Sequence, residues 1–352
     1  MKSRLILLLP PHRLWTAWTG TPPGTDEDRE FPYRILAARG IATTRRLDLT
    51  SRPWNPFDHT LLRAIDPVRA FRVLLFERDA ELVLCFFESA SLLILLLRRL
   101  FRFRGKVVVI DVGAPGWKLR DWILARVIPR ADAVMPYSAR QAELIRQSWP
   151  HAQLVQSVRP QVDCRLFSAS PDSPAGPILA IGDDHSRDYP TFLRAVNGVD
   201  HPILVRSRVL APSGAVTVLS TPLSVPAYRD LIAAACMIVL PLRPSDYAGG
   251  TSVLVQAMAS GKPLVVSDSQ GLRECVTHEV DALVVPCGDA AAMHAAILRL
   301  LSDPALRQRL GTAARRRAER DYSLEAWADQ IGSIVDRLFD RPLSAGTAPE
   351  GS

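Results

Sequence analysis

Residues 246–268 read DYAGGTSVLVQAMASGKPLVVSD. From Thr251 to Ala259 the chain carries no Gly, Pro or charge, a helix-length apolar stretch. Gly249-Gly250 stand before it and Ser260-Gly261-Lys262-Pro263 break it. Apolar runs of strand length flank the whole, at 236–241 and 263–267. Strand, glycine turn, helix, turn and strand make one β-α-β unit, whose crossover demands parallel strands. Glycines let a backbone approach a ligand closely, and the free N–H groups and dipole of a helix start favour a phosphate. Gly249, Gly250, Thr251 and Ser252 are therefore candidate phosphate-binding residues, the last two adding hydroxyl donors. A glycine turn serving chain geometry alone is the competing reading.

The same alternation extends in both directions. Upstream to residue 177 it predicts strands at 177–181, 202–207 and 215–219, with helices at 191–196 and 227–235. Downstream it predicts a strand at 282–285 and helices at 290–301, 304–321 and 324–339. Asp303-Pro304 marks one helix start, an acidic N-cap followed by Pro at the first helical position. The first half repeats the pattern, with strands at 4–9, 42–49, 82–87, 106–111 and 133–136. Helices are expected at 29–38, 91–101, 119–128 and 139–148, with a turn at Glu88-Ser89-Ala90-Ser91. Ser138 with Gln141 is a capping box for the helix at 139–148. Residues 168–176, SASPDSPAG, are the linker candidate. The expectation is an α/β chain of two tandem doubly wound, Rossmann-like parallel-sheet domains facing a cleft. Residues 1–167 form the first and 177–322 the second. A helix at 323–340 packs back on the first, and 341–352 is a disordered tail. In such sheets ligands bind at the strand carboxyl ends.

Composition fits two globular domains. The chain has 352 residues, 48% hydrophobic and 22% charged, which excludes disordered, collagen-like and coiled-coil chains. The net charge of +7 is uneven. Residues 1–165 hold 26 Lys+Arg against 16 Asp+Glu, or +10, leaving 17 against 20, or −3. A basic half suits a phosphorylated ligand or an anionic membrane surface, and ordinary solubility charge is the alternative. No nucleic-acid reader motif accompanies it, so nucleic acid is not expected as a partner. Five cysteines without a C-x-x-C pair read as buried small hydrophobes of a reducing cytosol. The apolar stretch 82–97 is interrupted by Glu88, Ser89 and Ser91, and no span of membrane length is present. The sequence reads as cytoplasmic, with contact to the inner membrane face left open.

Several motifs carry a resemblance. Gln256-Ala257-Met258-Ala259-Ser260-Gly261-Lys262-Pro263-Leu264 is followed by Gly271-Leu272-Arg273-Glu274 and by Val284-Val285-Pro286-Cys287-Gly288-Asp289. Upstream stand Val162-Asp163-Cys164-Arg165-Leu166-Phe167 and Ile181-Gly182 through Arg187-Asp188-Tyr189-Pro190-Thr191. Together they resemble the C-terminal half of the retaining GT-B glycosyltransferases, the broad glycosyl transferases group 1 family, over most of residues 130–335. The resemblance implies transfer of a sugar from a nucleotide-diphosphate donor, without a metal or other cofactor. It implies a donor site in the second domain and an acceptor site in the first. The acceptor would be an envelope glycan, a lipid-linked glycan or a small molecule.

By that resemblance Gly182 and Arg187 join the diphosphate site, and Gln256 and Glu274 face the ribose or the donor sugar. Two departures stand out. The family's paired glutamates fall on Ala248 and Gln256, and its Arg after the first strand glycine falls on Asp183. Gln256 still offers a carbonyl acceptor and an amide donor, without charge. Loss of both glutamates keeps two other readings open: a non-catalytic sugar-nucleotide binder and a GT-B sugar-nucleotide epimerase. Asp183-Asp184-His185 also invites a metal–nucleotide reading, but no second ligand set accompanies it, and no metal site is expected.

The first half offers acceptor-site candidates by position. Asp111 sits at the carboxyl end of the predicted strand 106–111 and is the candidate catalytic acid or base; Glu88 ends the strand before it. Either carboxylate could instead close a loop. Arg13, Trp15 and Trp18 follow the first predicted strand, where Trp faces suit sugar rings and Arg an acceptor phosphate. Residues 98–106, RRLFRFRGK, alternate basic and apolar side chains, which suits either an anionic lipid surface or a solvated helix end.

Overall fold

A computed structural model describes residues 6–9, 43–46, 67–86, 88–110, 118–211 and 216–339. By its contacts the chain divides into two units, Met1–Val158 with Ala328–Ser352, and Arg159–Trp327.

In the first unit, β1 (Ile6–Leu9), β2 (Thr43–Arg46), β3 (Leu82–Phe86), β4 (Lys106–Ile110) and β5 (Ala133–Met135) form one sheet, in the order β2-β1-β3-β4-β5. Every pairing is parallel. β3 is buried along its whole length, as expected of a parallel strand covered on both faces. The helices that follow in the chain are α1 (Pro67–Phe76), α2 (Glu88–Leu97), α3 (Lys118–Val127) and α4 (Ala139–Ser148). Val73, Leu74, Ile94, Leu95 and Leu124 from the first three lie in one buried cluster with Val83, Val107 and Val109 of the sheet. Each fully buried side chain of this kind contributes about 1.5–3 kcal/mol. α4 begins at the cap expected from the sequence, with Ser138 Oγ accepting from Gln141 N at 3.1 Å.

Two sequence expectations change here. The predicted turn at 88–91 is the first turn of α2, where Ser91 Oγ donates to Glu88 O at 2.9 Å and Ala90 is buried. A hydroxyl that bonds back to a helix carbonyl is compatible with a helix interior. α1 was not expected at all. The predicted helix at 29–38 and the tail from 341 lie outside the described residues.

In the second unit, β6 (Ile178–Ile181), β7 (Ile203–Arg206), β8 (Val216–Leu219), β9 (Met237–Leu240), β10 (Leu264–Ser267) and β11 (Leu283–Val285) form the sheet β11-β10-β9-β6-β7-β8, again parallel throughout. Its helices are α5 (Tyr189–Ala195), α6 (Val225–Ala234), α7 (Thr251–Ala259), α8 (Ala290–Ser302) and α9 (Pro304–Arg317). After a π-turn at Ala318–Tyr322, α10 (Leu324–Phe339) carries the chain from the second unit back to the first. From β6 the order runs outward to β8 on one side, and from β9 outward to β11 on the other. The sheet therefore reverses direction between β6 and β9, and ligands in open α/β sheets bind outside the carboxyl ends at such a point. The Pro/Ser stretch 168–176 runs against α7 and α9: Ser170 N donates to Ser260 O at 3.1 Å, and Arg307 pairs with Asp172 at 2.8 Å.

Candidate active site

β6 ends at Ile181, and Gly182 follows with φ +150. The Gly182 N–H donates to Arg206 O at 3.2 Å. Its carbonyl accepts from Tyr189 OH at 2.7 Å and Ser207 Oγ at 2.8 Å. Gly182 thus has no free N–H for a ligand, and its local effect is steric. A Cβ there would stand 2.0 Å from Arg187 Nε.

Arg187 lies in the space so left, only 5% exposed. Its Nε donates to Ile181 O at 2.8 Å, and Nη2 lies 3.4 Å from Asp184 Oδ2. A buried guanidinium with a carboxylate that is largely in water is only partly compensated, which leaves it ready to bind an anion. The loop after β9 closes over it. Asp188 N donates to Pro241 O at 2.9 Å, Arg243 N to Ser186 O at 2.8 Å, and Arg187 bridges to Leu242.

That loop leads to the glycine turn. A Cβ at Gly249 would meet Ser186 Oγ at 2.6 Å, and one at Gly250 would meet Arg187 Nη1 at 2.8 Å. Gly250 also has φ +89, a left-handed conformation in which glycine alone is unstrained. α7 then starts without a side-chain cap, while Ser138, Asp188, Ser224, Asp289 and Asp303 cap α4, α5, α6, α8 and α9. The N–H groups of Ser252 and Val253 donate to no described residue. The Thr251 hydroxyl turns back to Ala248 O, and the Ser252 side chain is exposed. Gly182, Arg187, Gly249, Gly250, Thr251 and Ser252 are thus brought together where the sheet reverses.

Gln256 lies on the same helix, buried, with Oε1 accepting from Tyr228 OH at 3.1 Å. Burial pushes the Tyr228 phenol well above its ordinary value, and that of Tyr189 also upward, so both stay neutral donors. Ala248 is buried and offers only its backbone. Glu274 sits in the 3-10 turn Arg273–Cys275 with an exposed side chain. Gly271 ties that turn to the segment before the glycine turn. Its N–H donates to Ser245 O at 2.9 Å, and a Cβ there would meet Tyr247 O at 2.1 Å.

Asp183, standing where the family has Arg, is held by two cations. Arg206 Nη1 and Arg208 Nε both approach Asp183 Oδ2 at 2.8 Å, and Arg208 N donates to Oδ1 at 2.7 Å. Burial pushes its carboxyl upward, but bonds from Arg208 and Arg206 outweigh that and hold it below the usual carboxylate range. Asp184 accepts from Ser186 N at 3.0 Å. These aspartates are engaged by arginines and loop donors, and among the described residues no cluster suited to a metal ion occurs. Arg206, Arg208 and Tyr228 are polar neighbours that sequence reasoning did not bring to the site.

In the first unit Glu88 begins α2 at the carboxyl end of β3, half-buried. Asp111, Arg13, Trp15 and Trp18 lie outside the described residues.

Residues 223–317 match the family described as "Glycosyl transferases group 1". Among curated proteins, the lipopolysaccharide core biosynthesis glycosyltransferase LpsD of Rhizobium meliloti (strain 1021) is 38% identical over 86 residues, covering 24% of this chain and 25% of LpsD. The match thus spans about a quarter of that relative's length. Among solved structures, sucrose-phosphate synthase from Thermosynechococcus elongatus superposes with a TM-score of 0.75 at 20% identity, covering 96% of this chain and 99% of that one. Anabaena Alr3699/HepE in complex with UDP and glucose gives 0.67 at 16% identity, covering 95% and 99%. At such identities the structural likeness speaks to fold. Over residues 223–317 the chain is thus similar to the glycosyl transferases group 1 family, and its fold is that of the GT-B glycosyltransferases.

Proposed function

We propose that the chain is a glycosyltransferase taking a sugar from a nucleotide-diphosphate donor to a glycan or lipid-linked acceptor, with retention of anomeric configuration and without a metal. One observation carries this reading: a buried arginine, two glycines that leave it space, and an uncapped helix start converge where the C-terminal sheet reverses. A diphosphate in that position would accept from the Ser252 and Val253 N–H groups and from Arg187, with Gln256 toward the ribose and Glu274 toward the sugar. HepE, with the same fold, has been solved with UDP and glucose.

In the reaction the donor's anomeric C–O bond breaks and its electron pair passes to the diphosphate. The acceptor hydroxyl oxygen bonds to the anomeric carbon and gives its proton to a base, for which Asp111 is the candidate. The helix dipole and Arg187 stabilise the charge that develops on the departing group, an electrostatic contribution that is usually large in catalysis. Acceptor binding falls to the N-terminal unit, through Glu88, Arg13, Trp15 and Trp18, with Asp111 as the candidate catalytic acid or base. The protein would work on the cytoplasmic side, where nucleotide sugars are met, with acceptors of the cell envelope reached at the inner membrane face.

The test is a panel of nucleotide sugars screened by thermal stabilisation, followed by product analysis with the best binder. Transfer with an unchanged anomeric configuration by NMR is the expected result. Binding without transfer or donor hydrolysis would identify a non-catalytic binder, the reading that Ala248 and Gln256 favour. Epimerised donor without any acceptor would identify an epimerase.

A further inference from the structure

The inner faces of α1, α2 and α3 are covered by the N-terminal sheet. Their outer faces are not polar. α1 turns Phe71, Leu75 and Phe76 outward, and Phe76 is 76% exposed. α2 adds Leu96, and the turn leaving it adds Leu100, also 76% exposed. Phe101 in that turn meets the ring of Phe71 edge-on at 6.0 Å, which joins the two helices' contributions. α3 supplies Trp122 and Ile123. Because α2 packs against both α1 and α3, these side chains belong to one layer. In the C-terminal unit the exposed large apolar residues among those described are Val209, Val280 and Leu298, which come from separate elements. Single exposed apolar residues need no explanation, but a contiguous apolar patch marks an interaction surface.

Charge says what the surface fits. Arg72, Arg99, Arg102, Arg104 and Arg126 are exposed on the same helices and the α2 exit turn. No carboxylate is exposed among the described side chains of that layer; Asp79 and Glu81, in the turn before β3, are exposed with Arg78 beside them. Arg126 lies over the Trp122 ring at 3.8 Å. The α2 exit turn is fixed in shape. Phe103 N donates to Arg98 O at 2.9 Å and Arg102 N to Arg99 O at 3.2 Å, a Schellman closure with Arg102 at φ 53 and Phe103 buried beneath. Arg98 itself anchors the turn inward, pairing with Asp132 at 2.9 Å. The result is a rigid ridge that presents Leu100 between outward-facing arginines.

We propose that this face lies on an anionic bilayer surface. Phe71, Leu75, Phe76 and Leu100 enter the boundary between headgroups and acyl chains, and the arginines meet lipid phosphates. Trp122 suits the same depth, since its ring is apolar and its N–H polar. Long basic side chains keep their charge in the headgroup layer while their stems lie along apolar surface. A second copy of this chain fits less well, because a self-complementary interface would set these arginines against their own symmetry mates. No described helix is long and apolar enough to cross a membrane, so the contact is peripheral. The proposal rests on the transferase reading for its purpose: a lipid-linked acceptor is met at the bilayer.

The test is co-sedimentation of the full chain with vesicles of phosphatidylglycerol in phosphatidylcholine, beside vesicles of phosphatidylcholine alone. The wild-type chain is expected to partition onto the anionic vesicles and to be released by high salt. Arg99→Glu with Arg104→Glu should weaken partition by about tenfold or more, since each charge near the surface carries a separate share. Phe76→Ser with Leu100→Ser should also weaken it, while leaving the melting curve unchanged because both side chains are exposed. Equal partition onto neutral and anionic vesicles, or variants that bind like wild type, overturns the proposal. So does lipid-free self-association that the same variants abolish, which would make the face an interface between copies. Nucleoside-diphosphate binding, measured by calorimetry on the same preparations, separates the two ideas. Vesicle binding without nucleotide binding sinks the transferase reading, and nucleotide binding without vesicle binding sinks the lipid face alone.

Discussion

Arg187 fills the space that a side chain at position 182 would need: its Nε stands 2.0 Å from the place of a Cβ on Gly182. The φ of +150 at that glycine adds backbone strain for any other residue. Gly182→Ala is therefore expected to lose about 1–3 kcal/mol of stability and to displace the guanidinium. Thermal denaturation with calorimetric titration of a nucleoside diphosphate measures both. A variant with wild-type melting and affinity would show that the close approach has no consequence.

Arg187→Ala removes a charged donor from the proposed diphosphate site. The expected loss is about 1.5–3 kcal/mol of nucleoside-diphosphate binding. Arg187→Lys retains charge but gives up the fork geometry and the bond to Ile181 O, so it should fall between the two. Unchanged affinity in the alanine variant would remove Arg187 from the site.

Gln256→Glu restores the family's carboxylate next to the Tyr228 hydroxyl. A charged acceptor strengthens the phenol bond and offers the ribose hydroxyls a better partner, so donor binding should tighten by about 1 kcal/mol. If affinity and turnover both stay where they were, Gln256 does not face the ribose.

Asp183 ties stability to acid. Its folded-state carboxyl lies below the usual value of 3.8, so the unfolded chain binds the proton more readily. The associated stability is complete above that usual value and is lost as pH falls through the lowered one. Asp183→Asn should flatten this acid limb while leaving stability near neutral pH lower, because Arg206 and Arg208 lose their counter-charge. Urea midpoints taken from pH 5 downward would decide it, and parallel acid limbs in the two proteins would refute the assignment.

Local chemistry explains where sequence reasoning succeeded. α4 and α7 begin and end where predicted, because Ser138 and the Gly249-Gly250 turn are signals that sit beside the elements they govern. α1 escaped notice although Asp66-Pro67 repeats the signal read at Asp303-Pro304; its apolar outer face blurs the helical alternation. At the site, the glycine turn and Arg187 could be found from motifs. Arg206, Arg208 and Tyr228 could not, because β7 and α6 bring them from remote stretches of chain and periodicity does not say which strands are neighbours. Asp183 misled in a particular way. Its charge suggested a missing cation, whereas the sheet supplies two from the adjacent strand and its exit.

The division of the chain between its two units has a consequence for its birth on the ribosome. Arg159–Trp327 is one uninterrupted stretch, while the other unit draws its last part from Ala328 onward. Synthesis therefore supplies everything the C-terminal unit needs before the N-terminal unit has received the buried Ile331, Ile334 and Val335 of α10. The half begun first is the half finished last, and it must wait with part of its apolar surface unmatched. A premature stop just after residue 327 would leave the C-terminal unit with its chain complete and the N-terminal unit without these buried residues.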